Sequence, residues 1–395
     1  MGKRLLPLPI TDAPRRSRTV HDYPGIISVQ RQDCGDDFFA PDEPEIDEHG
    51  ERIRDFLKTP SVALLLPLAS ERERETFSSV IHYVTSWGVR PSQVAVVYTA
   101  AAAKVVEDLE LQRHGYLLIQ EDAAISLCDT QRIRERFGVE LHGTRGKGRA
   151  IFAAFLHLKY IAKRSEIREL FLFDVDVIVG QYRPLEYLAY PHVSAPSPDR
   201  LFVLTAQNNA RRDNHYLVVP REIWRHESDL GRHYVRHFDK IVWSLTGEMS
   251  MRWSDVVDSI PFAVGYGIET VWQLFAADLT ADRERSPRWS VSQVVNPWTK
   301  EDGGNAGASG RCYDAMMYLQ LNRMAWFLIK HGKHLSELGA DDYRQINTRL
   351  GSARETSILP DNGDHGPPYL VNAQSDLFIP PIHLLRSEGC LRVAE

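Results

Sequence analysis

The chain has 395 residues, of which 43% are hydrophobic and 25% charged, with a formal net charge of −6. That length suits one large α/β core with extensions, or two domains. The acidic balance excludes a protein built mainly to coat nucleic acid or an anionic membrane, and no apolar run approaches the roughly 18 residues of a membrane span.

The N-terminal stretch "MGKRLLPLPITDAPRRSR" is basic but has no apolar core, so it does not read as a secretion signal. Leu6 breaks the myristoylation pattern. Cys34, Cys128, Cys312 and Cys390 are scattered without metal-ligand spacing, so a reducing cytoplasm is expected. Residues 1–58 are punctuated by proline and acidic in their second half, and read as an arm. From residue 59 to 230 strands and helices alternate. "SVALLLPL" is a buried strand, followed by a helix over "ERERETFSSVIHYVTSW" with Ser70 as N-cap. "QVAVVYTA" is a second buried strand, followed by an alanine-rich helix. "GKGRAIFAAFLHLKYIAKR" is a helix leading into a third strand, "ELFLFDVDVIVG". Continuous apolar strands alternating with helices imply a parallel sheet covered on both faces. Residues 231–350 read as mainly helical, with candidates at 232–246, 310–332 and 334–349, and 351–395 as an irregular tail.

The third strand runs out into Asp174 and Asp176. Ligands of an open parallel sheet sit beyond the carboxyl ends of its strands, and alternate residues of an extended segment point the same way. Two hard carboxylates there suit Mg²⁺ or Mn²⁺, which also bind phosphates. A solvated strand end is the plainer alternative. A haloacid-dehalogenase-type phosphatase is another, but it wants Thr or Val where Ile178 stands and opens its domain with this motif. Upstream, Pro67, Ser70 and Glu71 close the first strand. Gly146, Lys147 and Gly148 open a helix where a lysine can reach an anion. It is no Walker A loop, because the earlier glycine and the Ser/Thr after lysine are missing.

In this order the segments resemble the GT-A-type retaining glycosyltransferases that make mannosyl-3-phosphoglycerate or glucosyl-3-phosphoglycerate, a step towards compatible solutes. "VALLLPLASERER", the Gly146-Lys147 pair, "FDVDV", "LTGEMSMRWSDVVDSIPFAVGYGIE" and "VVNPW" carry the resemblance over residues 60–300. It implies a Rossmann-like, mostly parallel sheet covered by helices, with residues 59–230 binding the nucleotide sugar and 231–350 forming the acceptor side. Pro67, Ser70, Glu71, Lys147 and Asp174 would contact a GDP- or UDP-hexose. Asp174 and Asp176 would hold Mg²⁺ or Mn²⁺, and Glu269, with Asp176, would serve catalysis near the transferred hexose. Arg232 and Asn296 would meet a small acidic acceptor. No nucleic acid or membrane partner is implied, and a homodimer stays open.

Two departures qualify that pattern. The family's further metal-ligating histidine beside the last strand is absent, the positions there being Val294, Trp298 and Lys300. Tyr234 replaces the small hydroxyl residue of the acceptor loop. They leave open a transferase with a different acceptor, and a nucleotide-sugar-binding protein with impaired catalysis. The paired histidines of "HYVRH" and "HGKH" have metal-like spacing without an apparent acidic third ligand, and read as satisfied surface groups. Glycine-rich 303–310 reads as a linker or a lid.

Overall fold

The computed structural model describes residues 18–23, 26–31, 43–144, 146–175, 177, 179, 184–194, 200–207, 227–238, 247–265, 267–281, 289–296, 323–352 and 377–393. Its strands are β1 (Arg18–Tyr23), β2 (Ile26–Arg31), β3 (Val62–Leu68), β4 (Val94–Tyr98), β5 (Leu117–Gln120) and β6 (Glu169–Leu172). They continue with β7 (Arg200–Gln207), β8 (Met249–Arg252), β9 (Phe262–Ala263), β10 (Trp289–Asn296) and β11 (Phe378–Ile379). Nine of them form one sheet, in the order β1-β2-β10-β7-β8-β6-β3-β4-β5. The inner run β6-β3-β4-β5 is parallel throughout, as is β2-β10-β7. Antiparallel pairing enters at β8, which lies between β6 and β7, and at the β1–β2 edge. This is an α/β fold with a mostly parallel sheet.

Strand composition explains the layering. Side chains alternate across a strand, and in β3 the two sets are both apolar. Ala63 and Leu65 join one buried cluster, while Val62, Leu64, Leu66 and Leu68 join the other. On the first face the sheet packs against the helices Thr130–Phe137, Lys147–Leu156, Gly267–Ala281 and Ala340–Ser352. The second face is covered by Glu43–Leu57, Arg74–Ser86 and Pro184–Ser194, through residues such as Ile53, Phe77, Val80 and Leu188. With both faces buried, a strand needs no polar alternation, which is why "VALLLPL" reads as a continuous apolar run.

Several stretches are more ordered than their sequence suggests. Within the expected arm, β1 and β2 pair onto the sheet edge and Glu43–Leu57 is helical. The mainly helical part lends β8 and β10 to the main sheet. Within the expected irregular tail, β11 pairs with β9, and the helix Ile382–Ser387 buries Ile382 and Leu385. Asn347 pins that tail: its side-chain amide donates to the carbonyls of Phe137 and Phe378 at 2.8 and 2.9 Å, and accepts from the Phe378 N–H at 2.8 Å. Residues 303–310 lie outside the described residues.

Candidate active site

Three elements deliver the charged groups. β6 ends at Leu172, and Phe173 N–H still bonds to the Leu65 carbonyl, so Asp174 emerges directly off the end of the parallel ladder. Lys147 is the first residue of the helix Lys147–Leu156, and Glu269 lies in the first turn of Gly267–Ala281. The Lys147 Nζ lies 2.7 and 2.8 Å from the two Asp174 oxygens and 2.9 Å from Glu269 Oε1. All three side chains are largely buried, at 9%, 12% and 3% exposure. The helix macrodipole favours Glu269 at an N-terminus and opposes Lys147 at one. The two carboxylates offset that opposition and desolvation as well, so the lysine is held by its partners rather than by its helix.

The glycines around Lys147 serve packing. A Cβ on Gly148 would stand 2.0 Å from the Ala263 carbonyl oxygen, and one on Gly146 would stand 2.6 Å from that of Val264. The N–H groups of Gly148 and Arg149 donate to the carbonyls of Gly265 and Val264 at 3.1 and 2.9 Å. Two of the helix's four free N–H groups are therefore taken by the 263–265 backbone. The start of this helix is thus a joint between two segments, and the lysine side chain carries the charge. A third segment closes in at Gly247, where a Cβ would stand 1.9 Å from Asp174 Oδ2 and 2.5 Å from Lys147 Nζ.

The end of β3 contributes an acid that the sequence reading passed over. Glu71 is exposed and Pro67 and Ser70 are half-buried. Glu73 turns back instead, accepting from the N–H groups of Ala69 and Ser70 at 2.7 and 3.3 Å. Burial raises its pKa above the ordinary value, and the Asp174 charge adds to this against the two backbone bonds. Its signal was the capping-box spacing from Ser70 to Glu73, overshadowed by the neighbouring Glu71.

The acceptor-side expectations fare differently. Arg232 is exposed on the helix Asp229–Phe238 and pairs with Asp229. Asn296 ends β10, its side chain outside the described residues, as is all of Asp176. Tyr234 is fully buried, so it presents no hydroxyl to solvent. Both histidines of "HGKH" prove to have acidic partners: His331 Nε2 lies 2.7 Å from Asp342, and His334 Nδ1 lies 2.9 Å from Asp278. Their carboxylates come from other elements, which spacing within "HGKH" could not reveal.

No family model matches the sequence, and no curated protein matches it. Among solved structures, the chain is similar to glucosyl-3-phosphoglycerate synthase from Mycobacterium tuberculosis in complex with Mn²⁺, uridine-diphosphate-glucose and phosphoglyceric acid. Identity is 15% and the TM-score 0.46, covering 70% of this chain and 84% of that one. The same synthase with Mg²⁺ and uridine-diphosphate gives 15% identity and a TM-score of 0.46, covering 70% and 83%. A mycobacterial protein gives 16% and 0.46, covering 71% and 78%. No helix among the described residues is long and apolar enough to cross a membrane.

Proposed function

We propose that this chain is a GT-A-type retaining hexosyltransferase. It would move mannose or glucose from a GDP- or UDP-sugar to 3-phosphoglycerate or a similar small acidic acceptor. The observation that carries this reading is the convergence of Lys147, Asp174 and Glu269 where the parallel strands end. Breaking a sugar–phosphate bond builds negative charge on the departing diphosphate and positive charge on the ring. A buried ammonium flanked by carboxylates offers both signs within one pocket.

The donor set also suits a divalent cation. The formal charges of Lys147, Asp174 and Glu269 sum to −1, and the nearby Glu73 adds to the negative field. Asp174 with Asp176 would hold Mg²⁺ or Mn²⁺, which when bound stabilises the leaving diphosphate. Lys147 shifts its contact from Asp174 towards the diphosphate as the donor enters, and Glu269 orients sugar hydroxyls or supports oxocarbenium character. Arg232, exposed and paired with Asp229, would exchange that carboxylate for an acidic acceptor.

Donor hydrolysis and transfer, measured over a panel of nucleotide sugars and acidic acceptors with Mg²⁺ or Mn²⁺, test the proposal. Asp176→Asn abolishes metal-dependent turnover while the fold stays intact. Arg232→Ala raises the acceptor's KM far more than the donor's. Undiminished turnover of Asp176→Asn at saturating donor refutes the metal assignment. A second reading draws on the 2.7 and 2.8 Å contacts that tie both Asp174 oxygens to Lys147. If that pair persists with donor bound, the protein binds a nucleotide sugar without turnover. Calorimetric donor affinity without any transfer would select it.

A further inference from the structure

We propose that His233, Asp278 and His334 form a second metal site, for a zinc-type divalent transition-metal ion. The residues come from three elements: the helix Asp229–Phe238, the helix Gly267–Ala281, and the residue preceding the turn Leu335–Glu337. Their ligand atoms all lie within 4.8 Å of one another. His334 Nδ1 is 2.9 Å from Asp278 Oδ1, and the two imidazole rings stand 5.3 Å apart in an edge-on arrangement. A tetrahedral ion with bonds of about 2.0–2.2 Å needs donor atoms about 3.3 Å apart, within reach of small side-chain rotations.

The donor chemistry selects the ion. Two imidazoles and one carboxylate suit zinc and its first-row neighbours, whereas Mg²⁺ prefers oxygen ligands. The outer contacts fix the ligands as metal sites require. Asp278 is almost fully buried; its Oδ2 accepts the Ser336 N–H at 3.1 Å, its Oδ1 faces His334, and the buried Tyr234 hydroxyl also interacts with this carboxylate. His233 Nε2 is 3.1 Å from the Ala277 carbonyl, so that ring nitrogen carries the proton and Nδ1 keeps its lone pair. On metal binding the His334 proton leaves Nδ1, moving to Nε2, and the ion takes its place beside Asp278. His334 remains one-third exposed, which gives water access to the remaining coordination position.

This cluster is distinct from the Lys147 pocket. Asp278 lies nine residues beyond Glu269 on one helix, which at about 100° per residue places it on the opposite face, about 13 Å along the axis. The ion would fasten that helix to the turn after residue 334 and to the helix bearing Arg232. The site therefore stands whether or not the glycosyltransferase reading does.

The test uses the full chain stripped of metal by chelation and kept in excess Mg²⁺, so that oxygen-ligand sites are filled. Wild type should retain one equivalent of Zn²⁺ through gel filtration. It should also show visible absorption of four- or five-coordinate Co²⁺ and melt at higher temperature with Zn²⁺. The double variant His233→Ala/His334→Ala loses all three, while Asp176→Asn keeps them. Failure of wild type to retain Zn²⁺, or equal retention by the double variant, overturns the proposal. Should the double variant fail to fold by circular dichroism, His334→Gln, which can still bond to Asp278, is decisive. At least tenfold weaker Zn²⁺ binding supports the site, and unchanged binding overturns it.

Discussion

β6 is only four residues long, yet an acid stands buried at each end of it, and the two ends treat their acids in opposite ways. At the start, Glu169 meets Arg252 at 2.9 Å, with His192 Nδ1 3.5 Å away. His192 is stacked on Phe56, contacts Phe171, and has Nε2 2.8 Å from Ser250 Oγ. Burial dominates there: it raises the Glu169 pKa against the pull of Arg252, and it drives His192 down to about 3. At the far end Asp174 and Glu269 share the Lys147 ammonium. The first cluster is packed among aromatic rings that hold the fold, whereas in the second, under the proposed function, Lys147 would exchange a carboxylate contact for the donor's diphosphate.

The sharpest way to break this contrast is Lys147→Met. Removing one partner of a buried ion pair leaves uncompensated charge and costs about 3–5 kcal/mol, so urea unfolding should show a loss of that size. Adding Glu269→Gln should recover part of it. A loss below 1 kcal/mol would mean that the carboxylates are not truly desolvated.

A smaller effect is expected from Gly247→Ala, whose methyl would displace Asp174 and Lys147 rather than any core residue. Overpacking of this kind costs about 1–3 kcal/mol. Donor affinity by calorimetry should fall even where the melting temperature hardly moves. Intact affinity would show that the Lys147–Asp174 pair can relax freely.

An effect that is absent at neutral pH and builds only with acid probes the other end of β6. The folded pKa of His192 lies near 3, below its ordinary 6.5. Unfolding therefore takes up a proton in that window, and stability is full above pH 6.5 and declines as pH falls towards 3. One group contributes a slope of at most about 1.4 kcal/mol per pH unit. His192→Asn should flatten the decline in melting temperature between pH 6.5 and 4, and an unchanged profile would place the proton uptake elsewhere.

Much of this could be read from the residues in order. β3, β4 and β6 announce themselves as apolar runs, Lys147 and Asp174 were legible from local context, and Glu269 through the family resemblance. What escaped was whatever depended on partners far along the chain. β5 and β8 have four residues each, too few to display a period. Glu73 differs from the solvated Glu71 only in turning back to Ala69 and Ser70. Gly247 matters because another segment passes beside it, and Asp278 joins two histidines through folding alone. Gly146 and Gly148 are needed because the 263–265 backbone passes beside them, which local sequence does not reveal.

The antiparallel strand β8 also has a consequence for how the chain is made. Among the described strands, Met249–Arg252 joins the inner run ending in β6 to the outer run beginning at β7. A nascent chain emerging from the ribosome holds all of β3 to β6 before β7 is made, and those strands pair in parallel with one another. β7 must then wait for β8, with which it pairs after a detour of more than 40 residues, and for β10 later still. Closing such loops is entropically slow, and until the seam forms β6 presents an unpaired edge open to another chain. Expression yield and aggregation on refolding should therefore be governed by these four residues more than by any other strand of the sheet.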